Sequence, residues 1–159
     1  MQQVGIEYWG NIGDFMHRTH VEVSSTTGRR GALGEGSFFP DKAYNHFIFE
    51  SGYRYHSRSL GHGMDGDGLS WSIGTTLASS DGARWNISFR HMDINRAGEV
   101  DVRHSLSPIP QERMDVQISH DRITRMGRIY FGIGYGRIED DFGGISEDDL
   151  KAFLRWSSR

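Results

Sequence analysis

The chain has 159 residues, enough for one ordinary domain, and a net charge of −3 with acids and bases interspersed. That balance excludes the clustered basic face of a nucleic-acid binder. Cysteine is absent, which excludes thiol catalysis, disulfides and thiolate-bound metals. Apolar residues make up 36% of the chain, and no window approaches the roughly 18 consecutive apolar residues of a membrane helix. Membrane β-strands are not excluded, because they alternate apolar-out and polar-in and leave little signal per segment. The 21 glycines and 12% aromatic content point to β structure rich in turns.

Segments of about ten residues follow one another, each with a period of two. The short run Val4, Ile6, Tyr8 opens the series. In 15–23, Phe15, His17, Thr19, Val21 and Val23 oppose Met16, Arg18, His20 and Glu22. A strand is predicted over 52–59, with Tyr53 and Tyr55 opposing Arg54, His56 and Arg58. Leu69, Trp71, Ile73, Thr75 and Leu77 then oppose Ser70, Ser72, Gly74, Thr76 and Ala78. Trp85, Ile87 and Phe89 oppose Arg84, Asn86, Ser88 and Arg90. Met114, Val116 and Ile118 oppose Asp115, Gln117 and Ser119. Ile129, Phe131, Ile133 and Tyr135 oppose Arg128, Tyr130, Gly132, Gly134 and Gly136. The last segment, 150–156, alternates to the closing Trp156. Leu150, Phe153 and Leu154 also fit helical spacing behind a Ser146 cap, but Trp156 suits a closing strand better.

The pattern predicts an all-β fold of seven or eight antiparallel strands. A soluble sandwich and a membrane barrel both fit. Strand length is near the 9–11 residues of a tilted spanning strand. The polar face carries Arg54, Arg58, Arg84, Arg90 and Arg128 beside Ser, Asn and Gly, as water-filled barrel interiors do. Connections alternate in length counting back from the last strand: 139–149 long, 121–127 short, 93–111 long, 79–83 short, 61–68 intermediate. The long segment 25–45 falls on the wrong side of this alternation.

Residues 43–71 hold the densest set of signals: the rings of Tyr53 and Tyr55, the bases Arg54 and Arg58, and a Gly-His-Gly-Met-Asp-Gly-Asp turn over 61–67. With the Trp71 strand, the Arg-x-x-Asp-x-Asn strand end over 90–95 and the His-Ser-x-Ser-Pro segment over 104–108, they stand in one order. Across roughly 43–111 this order resembles the C-terminal part of the capsule assembly protein Wzi family. The resemblance implies an outer-membrane β-barrel that acts as a lectin, holding capsular polysaccharide at the cell surface without catalysis. The start of the chain lacks the basic and apolar regions of a signal peptide, and about half the expected strands are missing. Residues 1–159 are therefore expected to be one barrel segment, the C-terminal portion of a longer protein.

Candidate polysaccharide ligands are the lumen-parity residues Arg54, His56, Arg58 and Arg90, the turn residues His62, Asp65 and Asp67, and His104. Arginine forks bind carboxylates bidentately, which suits an acidic capsule. Tyr53, Tyr55, Trp71 and Trp85 share parity with Ile73 and Ile87, so a lipid-facing girdle is their expected role. No metal is expected. Asp65 and Asp67 start a calcium-like loop, but Leu69 and Thr76 stand where further ligands are needed. His17 and His20 point to opposite faces of a strand. His91 and Asp93 share a face without an evident third ligand. No Gly-x-Ser-x-Gly motif supports a hydrolase, and the acids at 140–141 and 148–149 read as solvated loops. The expected partners are capsular polysaccharide, outer-membrane lipid and the remainder of the barrel, with no cofactor, at the bacterial outer membrane. The alternative is a soluble β-sandwich carbohydrate-binding module.

Overall fold

The computed structural model describes residues 2–29, 38–39, 54–55, 58–59, 63–96, 106–140 and 143–158. Its strands are β1 (Gln2–Ile12), β2 (Phe15–Ser25), β3 (Gly28–Arg29), β4 (Phe38–Phe39), β5 (Arg54–Tyr55), β6 (Arg58–Ser59), β7 (Gly68–Ser79), β8 (Arg84–Ile94), β9 (Gln111–Thr124), β10 (Gly127–Asp140) and β11 (Ser146–Ser157). Seven of them form one antiparallel sheet in the order β1-β2-β7-β8-β9-β10-β11. β11 is a strand from Ser146 onward, so the helical alternative for this segment falls away. The sheet is open among the described residues, with β1 and β11 at its edges.

Register explains why the period-two pattern matters. Cα partners line up as Ile6, Val21, Ile73, Phe89, Val116, Tyr135 and Leu150 across all seven strands, and two residues on as Tyr8, Thr19, Thr75, Ile87, Ile118, Ile133 and Ala152. The apolar sets identified on the seven strands of this sheet therefore land on one face. The next row falls on the other face: Glu7, His20, Gly74, Ser88, Gln117, Gly134 and Lys151. Glycines on this face make room for neighbouring rings. A Cβ at Gly74 would collide with the His20 imidazole, and one at Gly132 with the Phe153 ring.

No second layer covers the apolar face among the described residues. Ile87 is 42% exposed and Ile133 50%, in the middle of their strands. Among the described residues the buried apolar side chains are Met64 and Ile94, and both lie at the end of the sheet rather than under it. A β-sandwich would bury those central isoleucines against a facing sheet, so the sandwich alternative finds no support here. Rings gather toward both ends of the apolar face. Trp71 packs on Phe89 at 4.8 Å near one end, and Trp85 on His120 at 4.2 Å near the other. Rings at both ends of an apolar face are also what the two girdles of a membrane barrel present.

The expected strand over 52–59 is not one strand. Arg54 pairs with Ser59 and Tyr55 with Arg58, so β5 and β6 form a small hairpin outside the seven-stranded sheet, and β2 pairs directly with β7. Tyr55 is thus not part of the girdle rows, and Tyr53 lies outside the described residues. Removing this crossing also resolves the misplaced 25–45 segment. The connections 13–14, 80–83 and 125–126 are all at one end of the sheet, and 26–67, 95–110 and 141–145 are all at the other. Short turns and long connections are fully segregated, as in outer-membrane barrels. The tight β1–β2 turn uses Gly13 at φ 57°, a left-handed conformation suited to two-residue hairpins.

The β7–β8 turn is closed by Ser79 N–H donating to Ala83 O at 2.8 Å. The Ala83 N–H donates to Asp81 Oδ1, and this bond, followed by one from the Ser79 side chain, holds the Asp81 carboxyl below its ordinary value of 3.8. A carboxyl depressed by folding adds stability above its unfolded value and loses it as pH falls through the lower folded one. Protection of the 80–83 amides, taken relative to the intrinsic exchange rate at each pH, should therefore fall as pH drops below 3.8. Asp81→Ala should abolish that acid dependence, as read by exchange mass spectrometry. The two faces make a second prediction. Ile87→Arg should weaken folding of the chain into lipid vesicles by about 2–4 kcal/mol, the cost of an arginine at mid-bilayer. Ser88→Arg, on the opposite face, should be tolerated, with urea midpoints in vesicles separating the two.

Candidate functional site

The polar face carries the chemistry. Its rows contain internal ion pairs that fix part of the surface. Arg18 holds Glu7 in a bidentate pair at 2.6 and 2.8 Å. Arg128 grips the largely buried Asp121, with Nε donating to Oδ1 at 2.7 Å and Nη2 to Oδ2. Hydroxyls and amides continue the lining, as where Thr76 donates to Asn86 at 3.0 Å and Asn86 reaches Ser119 at 3.5 Å.

Between these fixed pairs lies a groove of about 280 Å³. Five strands supply its polar side chains: His20 from β2, Ser72 from β7, Ser88 and Arg90 from β8, Asp115 and Gln117 from β9, and Lys151 from β11. Gly134 and Gly136 of β10 contribute backbone without side chains, and Ile73, Phe89, Val116 and Tyr135 complete the lining. Arg90 is exposed and makes no hydrogen bond or ion pair among the described residues, although Asp115 is its cross-strand partner. Lys151 is tied to Asp149 at 2.7 Å. The groove therefore offers one uncommitted guanidinium, one carboxylate, an amide and hydroxyls around a glycine floor. That set can hold a hydroxyl-rich ligand by hydrogen bonds and a carboxylate by the arginine fork.

Arg90 is the sequence-predicted candidate that lies in this groove. Arg54 and Arg58 lie on the β5–β6 hairpin, apart from the sheet. His56, His62 and His104 lie outside the described residues. Asp65 and Asp67 take a different place from the exposed loop expected of them. They are buried, at 0% and 1% exposure, in the turn that precedes β7. Asp65 adopts a left-handed φ of 59°. Asp67 Oδ1 accepts from Thr27 Oγ1 at 2.9 Å, and its main-chain oxygen accepts from Arg96 N–H at 3.3 Å. Thr26 N–H donates to Gly68 O at 2.9 Å, while Gly68 N–H donates back to Thr26 Oγ1 at 2.8 Å. Met64 packs so closely on Gly68 that any Cβ there would lie 2.8 Å from its own. The turn is a fastener joining the ends of β2, β7 and β8.

Ser88, Asp115, Gln117 and Lys151 were not singled out by sequence, and His20 was weighed there only as a metal ligand. Their signal was parity: each lies opposite the apolar face of its own strand. Sequence reasoning also missed the third member of the His91 and Asp93 pair. Glu112 is the cross-strand partner of Asp93, and His91 Nε2 donates to Glu112 Oε1 at 2.6 Å.

Comparison with known proteins follows the same lines. The model of the capsule assembly protein Wzi family matches residues 3–140. The chain belongs to this family. A solved structure of Wzi from Escherichia coli, described as an outer-membrane protein involved in group 1 capsule assembly and a carbohydrate-binding β-barrel, superposes with a TM-score of 0.69 at 18% identity. The alignment covers 99% of this chain and 34% of that one, so the chain spans about a third of its structural relative. No curated protein sequence matches significantly. The Wzi-type fold accounts for the open sheet of long strands, and the described part of the motif turn, 63–67, is a structural fastener.

If Asp67 acts as a fastener, Asp67→Ala should lower stability by about 1–3 kcal/mol, the usual cost of orphaning a buried hydrogen-bonding group. Ligand binding at the Arg90 groove should be unchanged once the variant is folded. Chemical denaturation read by tryptophan fluorescence checks the first part, and a binding isotherm the second.

Proposed function

We propose that this Wzi-family chain forms part of the wall of an outer-membrane barrel that binds capsular polysaccharide and attaches it to the cell surface without catalysis. The observation that carries the reading is the groove at Arg90, a cluster of polar groups around one uncommitted guanidinium on the face opposite a continuous apolar one. Family membership supports the capsule role. The carbohydrate binding described for the Escherichia coli Wzi supports the ligand class. The segregated connections support a membrane orientation in which the short turns face the periplasm and the long connections face outward. The strand edges β1 and β11 would pair with further strands of the barrel, since open edges leave backbone groups unsatisfied in lipid.

The ligand best suited to the groove is an acidic polysaccharide. Gln117, Ser88 and Ser72 suit sugar hydroxyls, and the Arg90 fork suits a uronate or pyruvate carboxylate. The glycine floor lets a sugar ring approach the backbone. A hydrogen bond to a charged group is worth about 1.5–3 kcal/mol. Arg90→Ala should therefore weaken binding of an acidic polysaccharide to the detergent-solubilised chain roughly ten- to hundredfold, with little change for a neutral one. Equal losses for both ligands would assign Arg90 a role other than charge recognition, and unchanged affinity would remove it from the site. A chain that stays monodisperse in detergent-free buffer would overturn the membrane part of the proposal.

A further inference from the structure

We infer that His91, Asp93 and Glu112 form a divalent-cation site on the apolar side of the sheet, at its long-connection rim. The first ground is geometry. One ligand atom from each of the three residues lies within 4.8 Å of the others. His91 Nε2 contacts Glu112 Oε1 at 2.6 Å, and His91 Nδ1 lies 4.0 Å from Asp93 Oδ1. Modest side-chain rotation brings one imidazole nitrogen and two carboxylate oxygens to the 2.0–2.2 Å from a common centre that zinc-type ions require, roughly.

The second ground is electrostatic and independent of the first. Asp93, Glu112 and Glu139 are consecutive cross-strand partners on β8, β9 and β10. Like charges placed directly opposite one another destabilise a sheet. Arg137 pairs with Glu139. No Lys or Arg side chain pairs with Asp93 or Glu112 among the described residues, where His91 is their neighbour. A dication between them removes the repulsion and clamps β8 to β9 where the 95–110 connection leaves the sheet.

The third ground is preorganisation. The His91 ring stacks on Trp71 at 5.9 Å and 26°, and Trp71 packs in turn on Phe89 at 4.8 Å. That stack limits rotation of the imidazole and presents its nitrogen edge to the carboxylates. His91 is 21% exposed, Asp93 37% and Glu112 51%, so an ion has access from the rim yet is partly sheltered. The donor set of one imidazole and two carboxylates favours zinc or a similar first-row dication over calcium or magnesium, which prefer oxygen alone. Three protein ligands leave a fourth position for water.

The test uses the full chain in detergent micelles, stripped with chelator and titrated with Zn²⁺ by calorimetry and with Co²⁺ by visible absorption. One equivalent of Zn²⁺ should bind, and Co²⁺ should give a d–d spectrum that Zn²⁺ displaces. His91→Gln and Glu112→Gln should each weaken Zn²⁺ binding at least tenfold, whereas His120→Gln, which alters a ring elsewhere on the same face, should not. Bound Zn²⁺ should also raise the unfolding midpoint of the unaltered chain and not that of Glu112→Gln. Absence of stoichiometric binding, or retention of full affinity by either variant in folded form, overturns the site. Should His91→Gln fail to fold, Glu112→Gln decides alone.

Discussion

Unbroken register across six antiparallel ladders is the constraint on which the rest of this molecule depends. A one-residue slip in any ladder would move the whole side-chain set of every strand beyond it to the opposite face. Isoleucines would then meet the groove, and Arg90, Asp115 and Gln117 would meet the apolar surroundings. Short turns at one end protect the register of three of the ladders. The β1–β2, β7–β8 and β9–β10 hairpins close over connections of two or four residues, which leave little freedom for slippage. The remaining ladders, β2–β7, β8–β9 and β10–β11, cross longer connections and need another device.

For β2–β7 the device is the fastener at the long-connection end. Thr26 and Gly68 bond to each other in both directions, and Asp67 reaches Thr27 and Arg96. The chain therefore leaves the sheet after β2 and re-enters at β7 through points already tied together. Loop-closure cost rises only slowly with length once the ends are held. A long segment can thus be inserted there without loosening the pairing of β2 with β7. The three ladders without short turns are where cross-strand side-chain chemistry matters most: Ser24 meets Ser70 and Thr19 meets Thr75 across β2–β7, and His91 meets Glu112 across β8–β9.

Most of the sheet was legible because parity is a long-range signal that turns do not disturb. The strands around Trp71, Ile87, Val116 and Ile133 were each readable from alternation alone, and their observed ends lie a few residues beyond the apolar core of each pattern. The 52–59 segment shows where that signal fails. Alternation of Tyr and Arg survives a hairpin, so the periodicity of Tyr53 to Arg58 could not distinguish one spanning strand from the folded pair β5–β6. Connection lengths held the missing information: the 25–45 segment sat on the wrong side only because a spurious crossing had been counted. Burial of Met64 to Asp67 was illegible for a different reason. Glycine and aspartate suit both an exposed loop and a compact fastener, and only the positions of Thr26, Thr27 and Met64 decide between them. Glu112 escaped notice because its relation to Asp93 runs across a ladder rather than along the chain.

Apolar residues do not run parallel to the ladder rows, and this bears on how the two faces work together. The row that begins at Val4 on β1 continues through Val23 and Trp71 but carries Arg137 and Asp148 on β10 and β11, where the apolar stretch starts one row later at Tyr135 and Leu150. An apolar band oblique to the rows is what tilted strands require, since a barrel cannot close with its strands upright. The same obliquity places the acids of Asp93 and Glu112 at the band's rim, while Phe89, two rows inward, still lies within it. On the reverse face the Arg90 row lies three residues inward from Asp93 along β8, and the Gln117 row lies near mid-strand beside the Ile87 row. No single strand supplies the groups of the groove, so their meeting around Arg90 rests on the same pairing that keeps the isoleucines together on the other side.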